Sequence, residues 1–199
     1  MKPGQEKRKS GIALVGDIPW GSHFCQFYTT RKDLFDTLIP YFRAGLENNE
    51  FCVLVTLEFL TKEDAISTMQ KAIPGFSGYL NKKQIEIFPY TDWYLKGGYF
   101  DLNRTLDMWR EKHDEALSRG FAGMRVSGNP YWIDNKKDWD DFTSYEAEIN
   151  KVIGGTKLLV LCTYSLQKCG VPEIIDVVKN HEFALAISNG KWQIVSAPR

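Results

Sequence analysis

The sequence predicts a three-layer α/β domain that has a mainly parallel central sheet and a C-terminal β-hairpin. Short apolar runs of strand length alternate with helical patterns about five times along the chain, as in sheets whose strands are joined by crossover helices. Residues 51–57 (FCVLVTL) are apolar at almost every position, which is typical of a strand covered on both faces. Near the end, Asn189-Gly190 separates two further apolar runs, and this dipeptide favours a tight hairpin turn.

The first half of the chain supplies three of the predicted strands, at residues 23–28, 51–57 and 85–88. Residues 32–47 carry apolar side chains at helical spacing. Pro40 lies inside that pattern, and we expect a kink there. The next helix begins at Thr61, since Asp64 completes an arrangement similar to a capping box. It ends before Pro74-Gly75.

The second half supplies two more strands and the hairpin, at residues 121–126, 157–164, 183–188 and 191–195. Residues 101–119 show the clearest amphipathic helical pattern, and Gly120 follows as a terminator. Residues 138–153 form a second helical pattern, and Pro172 begins a short helix that reaches Val178. Each strand of the predicted sheet is therefore followed by a helix until the hairpin.

Composition restricts the classes of partner and the compartment. Lys+Arg and Asp+Glu are equal at 25 each, so the chain lacks the positive field that nucleic-acid binding uses. The N-terminus is basic and polar without a signal-peptide core, and no run reaches the roughly 18 apolar residues of a membrane helix. We expect a cytoplasmic protein that binds neither nucleic acid nor a membrane. Residues 1–10 are expected to be a disordered lead-in, and residues 11–199 one domain.

Motifs for common enzyme chemistry are missing. The chain contains no GxxxxGK[ST], GxGxxG, GxSxG or HExxH sequence, so the usual markers of phosphate binding, nucleophilic catalysis and zinc hydrolysis are absent. After the first predicted strand the chain continues TTRKDL, without any glycine to form a phosphate-binding loop. We therefore expect a protein that is not an enzyme and that uses no cofactor.

His23 and Cys25 are two residues apart in a predicted strand, so their side chains project to the same face. An imidazole and a thiolate suit zinc or another soft metal, and Cys162 and His181 are the candidates to complete such a site. Two ligands do not make a site, however, and a packed cysteine beside a hydrogen-bonded histidine explains the pair as well. The four cysteines show no CxxC spacing, which favours reduced, mostly buried thiols.

Two charged residues fall where apolar side chains are expected. Arg125 lies within an apolar strand, and Glu146 lies on the apolar stripe of its helix. A buried charge is costly unless it is paired. The two residues either shape a polar spot in a ligand pocket or belong to structural ion pairs, and the sequence leaves both interpretations open.

Aromatic residues make up 14% of the chain and cluster in the connections between strands and helices. One group follows the third strand and includes Trp93, and another follows the fourth strand and includes Trp139. Ligands of parallel sheets bind at the carboxyl ends of the strands. The distribution therefore predicts a concave aromatic pocket for a small, weakly polar molecule. The alternative is that bulky loops cover the edge of the sheet with their own packed side chains.

Several of these segments resemble the MEDS domain, the methanogen/methylotroph sensory domain typified by the dichloromethane-responsive regulator DcmR. The most distinctive is the string HFCQFY at residues 23–28, and the resemblance spans residues 20–190. Further matching segments are Asp33-Leu34, Pro40-Tyr41-Phe42, Gly45-Leu46-Glu47, Glu50-Phe51-Cys52-Val53, Arg125-Val126-Ser127-Gly128, Tyr145-Glu146, Leu161-Cys162-Thr163-Tyr164 and His181.

This resemblance implies a RecA/KaiC-like fold that has lost its phosphate-binding loop, and a non-catalytic sensory role. Family members occur in transcriptional regulators and as input domains of histidine kinases, so it implies a linked kinase or DNA-binding output domain. The implied effector is a small organic molecule, such as a methylated or halogenated hydrocarbon derivative. The residues that we expect around it are His23, Cys25, Tyr28, Trp93, Arg125, Glu146 and Tyr164.

Three other functions stay open at this point. A metal- or thiol-redox-responsive sensor would use His23, Cys25 and Cys162, with His181 as a further ligand. A residual nucleotide-binding activity conflicts with the absent phosphate loop. A dimerisation scaffold would place the aromatic surface against a second copy of the chain.

Overall fold

The structure, a computed structural model, describes residues 6–196 and is organised around a seven-stranded sheet. A small antiparallel ribbon precedes this sheet and consists of β1 (Lys7–Lys9) and β2 (Asp17–Pro19). The strands of the main sheet are β3 (His23–Tyr28), β4 (Phe51–Val55), β5 (Ile85–Phe88), β6 (Met124–Gly128), β7 (Leu158–Ser165), β8 (Ala184–Ser188) and β9 (Lys191–Val195).

Helices fill the connections between the strands. In chain order they are α1 (Arg31–Glu47), α2 (Lys62–Ala72), α3 (Phe76–Asn81), α4 (Tyr90–Trp93), α5 (Leu102–Ser118), α6 (Lys136–Ile153) and α7 (Val171–Asn180). Within residues 6–196, no helix is both long enough and apolar enough to span a bilayer. Helix α1 continues through Pro40, and α3 and α4 are short helices that the sequence patterns did not predict.

The strand order of the main sheet is β5-β4-β6-β7-β3-β8-β9. All neighbours pair in parallel except β8 and β9, which form an antiparallel hairpin around Asn189-Gly190. The predicted mainly parallel sheet with a C-terminal hairpin is thereby confirmed. Strand β6 begins at Met124, three residues later than predicted, and residues 121–123 precede it outside the sheet.

Two hydrophobic clusters, one on each face of the sheet, complete the three layers. Alternate residues of a strand point to opposite faces, and in β3 Phe24 belongs to the cluster that includes α1 and α2, while Cys25 belongs to the cluster that includes α5 and α6. We call these the α1 face and the α6 face. Residues of β3, β4 and β7 are buried throughout because helices cover both sides.

The expected disordered lead-in is wrong for residues 7–9, because these residues form β1. Arg8 donates from Nε to the buried carboxylate of Glu50 at 2.9 Å, and this contact ties the ribbon to the sheet. Residues 1–5 lie outside the described part of the chain. The segment KRK contains no apolar residue that would predict a strand. Its strand conformation depends on pairing with β2 and on the contact with Glu50.

Candidate functional site

Four buried polar side chains converge on the α6 face of the sheet. They are His23, Glu146, Cys162 and His181, and one ligand atom from each lies within 4.8 Å of all the others. Glu146 Oε2 lies 3.1 Å from His23 Nε2 and 3.4 Å from His181 Nε2. Cys162 Sγ lies 3.3 Å from His23 Nε2 and 3.8 Å from Glu146 Oε2. We call this group the buried cluster.

Four separate elements bring the cluster together. His23 begins β3, and Cys162 lies in the adjacent strand β7, opposite Cys25 in the parallel register. Glu146 lies on the buried side of α6 between Phe142 and Ile149. His181 follows the last residue of α7, at its C-cap. The cluster therefore joins the sheet to both helices that cover it at this end.

Each histidine of the cluster is held through its second ring nitrogen. His23 Nδ1 lies 3.0 Å from the amide oxygen of Asn150, and His181 Nδ1 lies 2.7 Å from the backbone oxygen of Val177. The amide nitrogen of Asn150 donates to the Asn180 carbonyl at 2.8 Å, so its oxygen is left to accept. Both imidazoles therefore carry a proton on Nδ1 and direct Nε2 into the cluster.

Burial and mutual proximity set the protonation of the cluster. Burial raises the pKa of the Glu146 carboxyl, but contacts with His23 and His181 outweigh it, so this pKa lies below its ordinary value. Burial lowers the pKa of His181 to about 3. Burial and the charge of Glu146 raise the pKa of Cys25 and of Cys162 well above the ordinary thiol value. At neutral pH the cluster thus contains a Glu146 carboxylate, a neutral His181 and a protonated Cys162 thiol, and the neighbouring Cys25 is protonated as well.

Not all predicted site residues belong to this cluster. Cys25 shares its face but is not among the four converging groups, so Glu146 takes the place that the sequence assigned to Cys25. Tyr164 is two residues beyond Cys162 on the same strand, and its ring lies edge-on to His181 with centroids 5.7 Å apart. Tyr28 is buried on the opposite face and accepts a hydrogen bond from the side-chain nitrogen of Asn129 at 3.0 Å.

Arg125 and Glu146 do not meet, which corrects their assignment to one polar site. Arg125 lies on the α1 face and is fully buried, and its Nε donates to Glu50 at 2.5 Å. Its other nitrogens donate to the backbone oxygens of Lys9, Ser10 and Tyr41. Arg125 therefore forms a structural ion pair, which is one of the two interpretations that the sequence left open.

Several aromatic residues of the connections are packed in the core. Trp93 is 1% exposed, and its ring centroid lies 4.2 Å from that of Trp109, whose Nε1 donates to Tyr145 Oη at 2.7 Å. Tyr94 is also buried and packs against Phe142 with centroids 5.9 Å apart. Trp93 is thus packed among core rings, and it also lines the cavity along β5 together with Phe88, so its place in a ligand site stays a prediction.

A cleft does exist at the carboxyl ends of β6 and β7. It has a volume of about 470 Å³ and lies between the loop before α6 and the first turn of α7, with Ile133, Trp139 and Pro172 on its walls. A smaller recess of about 20 Å³ is lined by Trp139 as well, and it reaches Tyr164 and Cys169. We call the larger of these two openings the αα cleft. Tyr164, which lines the smaller recess, lies between the αα cleft and the buried cluster.

A larger cavity of about 830 Å³ runs along the edge strand β5. Its lining combines charged and apolar side chains. The charged ones are Lys62, Lys83, Glu86, Asp92, Lys96, Glu111, Lys112 and Glu115, and the apolar ones are Leu80, Ile85, Ile87, Phe88, Trp93 and Met108. Several of the charges already neutralise each other, as Lys112 does with Glu86 at 2.7 Å and with Glu115 at 2.8 Å. The αα cleft is lined by a similar share of charged side chains.

The N-terminus of α1, where a phosphate loop would lie, is occupied by the chain itself. Asp33 Oδ2 accepts from the backbone nitrogens of Thr29 and Thr30 at 3.2 and 2.9 Å, and Thr30 Oγ1 accepts from Asp33 N at 3.1 Å. This capping box uses the N–H groups that would otherwise bind an anion. The Asp33 carboxylate also opposes a phosphate by its charge.

Two residues of these networks were missed from the sequence. Asn150, which orients His23, follows Glu146 by one helical turn, so its position on the buried side of the helix was predictable from the sequence. Glu50, the partner of Arg125, precedes an apolar strand and has 0% exposure. A charged residue at a strand boundary is ordinarily exposed, so nothing local distinguished it.

Comparisons with known proteins agree with this fold. Residues 22–182 match the family described as MEDS, the MEthanogen/methylotroph, DcmR Sensory domain. Among solved structures, a KaiC-like protein from Pyrococcus horikoshii is similar, with a TM-score of 0.66 and 15% identity over 96% of this chain and 86% of that one. The flagellar accessory protein FlaH from Methanocaldococcus jannaschii is also similar, with a TM-score of 0.56 and 12% identity over 91% and 79% of the two chains. No curated protein matches the sequence. The likeness confirms the RecA/KaiC-like fold.

Proposed function

This chain belongs to the MEDS family of sensory domains, and from that premise we propose that it is a non-catalytic input domain of a signal-transduction protein. Its effector is a small organic molecule, such as a methylated or halogenated hydrocarbon derivative, and it binds in the αα cleft. The observation that carries this proposal is the position of the cleft at the carboxyl ends of β6 and β7, where ligands of parallel sheets bind.

The αα cleft offers a weakly polar effector apolar walls beside charged side chains. Trp139 and Ile133 provide apolar walls, while Trp139 Nε1 is already bonded to Asp176 at 3.2 Å. Lys168 and Asp134 form an ion pair of 2.5 Å at the rim, so their charges are neutralised without a ligand. A volume of about 470 Å³ lies within the range of small-molecule sites.

The effector signal would pass through α6 and α7. A molecule in the αα cleft contacts the first turns of both helices. Tyr164 lines the neighbouring recess and also packs against His181 of the buried cluster. An effector that binds one arrangement of these helices more tightly shifts the population toward it. A linked histidine-kinase or DNA-binding domain would then read the change.

The terminal hairpin is the surface that we propose for contact with a second copy of the chain. Strand β9 is at the edge of the sheet and has one paired side among the described residues. Ile187, Ile194 and Val195 of the hairpin are each at least 40% exposed. An exposed edge strand with apolar side chains is suited to association with another chain.

Effector binding is tested by thermal unfolding of the full chain with methanol, methylamines and halogenated methanes. A ligand of about four heavy atoms gains at most about 6 kcal/mol, so its Kd lies at tens of micromolar or above and millimolar concentrations are required. We expect at least one compound to raise Tm, and Trp139→Ala to abolish the rise. Trp192→Ala, a half-buried tryptophan of the hairpin, is the matched control. No shift with any compound would contradict the proposal.

Nucleotide binding is the test of the non-catalytic assignment. Because Asp33 occupies the N-terminus of α1, Mg²⁺–ATP at millimolar concentration is expected to leave Tm unchanged and to release no phosphate. Asp33→Asn removes the charge while keeping an oxygen acceptor, and it serves as the comparison. Stabilisation of the unmodified chain by ATP, or hydrolysis above background, would refute this part of the proposal.

The thiol-redox alternative lacks support. Reactive cysteines are accessible and have a lowered pKa, whereas Cys25 and Cys162 are buried and burial raises the pKa of both. The metal-responsive alternative has a specific observation in its favour, namely the convergence of the buried cluster. A metal held by this cluster would have a structural role.

A further inference from the structure

We propose that the buried cluster of His23, Glu146, Cys162 and His181 is a resident zinc site with four protein ligands. This site shares no residue with the αα cleft, so it can be tested independently of the proposed organic effector. Imidazole and thiolate ligands select zinc and its relatives over magnesium and calcium, which prefer oxygen ligands. Four protein ligands leave no open position, so the metal would be structural instead of catalytic.

Four of the six distances within the cluster are close to those of a tetrahedral site. Zinc binds nitrogen and oxygen at about 2.0–2.2 Å and sulfur at about 2.3 Å, so ligand atoms lie roughly 3.3–3.8 Å apart along the edges of the tetrahedron. The carboxylate oxygen Oε2 of Glu146 lies 3.1 Å and 3.4 Å from the two imidazole Nε2 atoms. Cys162 Sγ lies 3.3 Å from His23 Nε2 and 3.8 Å from Glu146 Oε2. The remaining two distances, from His181 to His23 and to Cys162, are within 4.8 Å, so His181 would move by up to about 1 Å to bind the same ion.

The histidines are oriented as metal ligands are. In zinc proteins, a ligating histidine donates its other N–H group to a carbonyl or carboxylate, which fixes its tautomer. Here Nδ1 of His23 meets the Asn150 amide oxygen, and Nδ1 of His181 meets the Val177 carbonyl. Nε2 of each imidazole therefore points into the cluster.

The cluster is incomplete without a cation. Glu146 Oε2 lies 3.4 Å from His181 Nε2 and 3.1 Å from His23 Nε2. His181 Nε2 is buried and has no hydrogen-bond partner among the described residues. Buried polar groups are rarely left without a partner. A divalent ion between Glu146 Oε2 and the two imidazoles would accept electron pairs from all three.

Charge also balances when zinc is bound. Coordination replaces the thiol proton of Cys162, which is released to solvent, by a bond between sulfur and zinc. The Glu146 carboxylate and the Cys162 thiolate then contribute two negative charges, which equal the charge of Zn²⁺. A neutral centre is compatible with the apolar α6 face, where Val160, Ile149 and Phe142 are buried.

The metal would fix the positions of α6 and α7 on the sheet. His23 and Cys162 come from adjacent strands, whereas Glu146 and His181 come from the two helices. Residues 23 and 181 are almost at opposite ends of the described chain, so the ion joins segments that no covalent link holds together. Metal binding is then coupled to folding.

Metal content and cobalt spectroscopy of the full chain test this site. Protein purified without chelators is expected to contain one zinc per chain. After chelator treatment, Co²⁺ should bind with one equivalent and give a sulfur-to-cobalt charge-transfer band together with tetrahedral d–d bands. Zn²⁺ should displace Co²⁺ and raise Tm. A chain that binds neither ion stoichiometrically would overturn the proposal.

Cysteine variants separate ligation from burial. Cys162→Ser should lose the charge-transfer band and bind Co²⁺ at least about 10-fold more weakly. Cys25→Ser is the matched control, because Cys25 is equally buried, lies opposite Cys162 in the neighbouring strand, and should keep both the band and the affinity. Equal effects of the two variants would refute this ligand set.

Glu146→Gln provides a second check that does not depend on sulfur. It retains the size and hydrogen-bonding capacity of the side chain but removes the charge, so it should weaken Co²⁺ binding while the sulfur-to-cobalt band persists at saturating Co²⁺. Circular dichroism of each metal-free variant reports whether it folds. A Glu146→Gln protein that binds Co²⁺ as tightly as the unmodified chain would exclude Glu146 as a ligand.

Discussion

Replacing Arg125 with methionine is expected to lower the free energy of unfolding by about 3–5 kcal/mol. Arg125 is fully buried, pairs with Glu50 at 2.5 Å, and donates to backbone oxygens of Lys9, Ser10 and Tyr41. Methionine fills a similar volume but leaves these acceptors without their donor, and unsatisfied buried polar groups are costly. Urea unfolding monitored by circular dichroism measures the loss.

The matched control is Arg43→Met. Arg43 pairs with Glu47 at 2.8 Å in an i,i+4 arrangement, but both side chains are 49% exposed. Exposed ion pairs contribute roughly 0.2–1 kcal/mol, so this variant should remain near the unmodified chain. If Arg125→Met cost no more than Arg43→Met, the buried network would not stabilise the fold as argued.

Replacing Trp93 with alanine is expected to lower the free energy of unfolding by about 3–5 kcal/mol. Trp93 is 1% exposed and packs on Trp109 and Phe88 with centroid distances of 4.2 and 5.1 Å. Truncation removes an aromatic ring from a packed layer and leaves a cavity. Thermal or urea unfolding measures the effect.

Tyr99→Ala is the comparison for Trp93→Ala. Tyr99 belongs to the same aromatic connection but is 61% exposed, where it packs loosely against the Arg104 guanidinium at 5.0 Å. Its loss should change stability by about 0.5 kcal/mol or less. A small effect at Trp93 would instead indicate a pocket wall, as the sequence first predicted, because a wall residue is removed without creating a cavity.

The alternation of strands and helices was predictable because its signals are local. An apolar run such as FCVLVTL identifies a buried strand, and Asn189-Gly190 identifies the hairpin turn. The resemblance of residues 20–190 to a sensory family added the RecA/KaiC-like fold. The ribbon strand at residues 7–9 was missed because it has no apolar pattern of its own.

Close approach of two segments explains the glycine inside α1. Gly45 lies inside α1, where glycine ordinarily destabilises a helix. A Cβ atom at this position would lie 2.5 Å from Arg125 Nε. The glycine thus provides the space in which Arg125 reaches its partners, and nothing within the helix sequence indicates that requirement.

The amino-acid order was enough to place His23 and Cys25 on one face, because side chains of a strand alternate with a period of two. It could not show that Glu146 and His181 meet His23, or that Arg125 pairs with Glu50 on the opposite face. The Arg125 pair depends on β4 and β6 being neighbours, and the Glu146 and His181 contacts depend on the order β7-β3 and on the helices packed above these strands. Segments more than 100 residues apart are brought together by burial of apolar surface, which acts without regard to sequence separation.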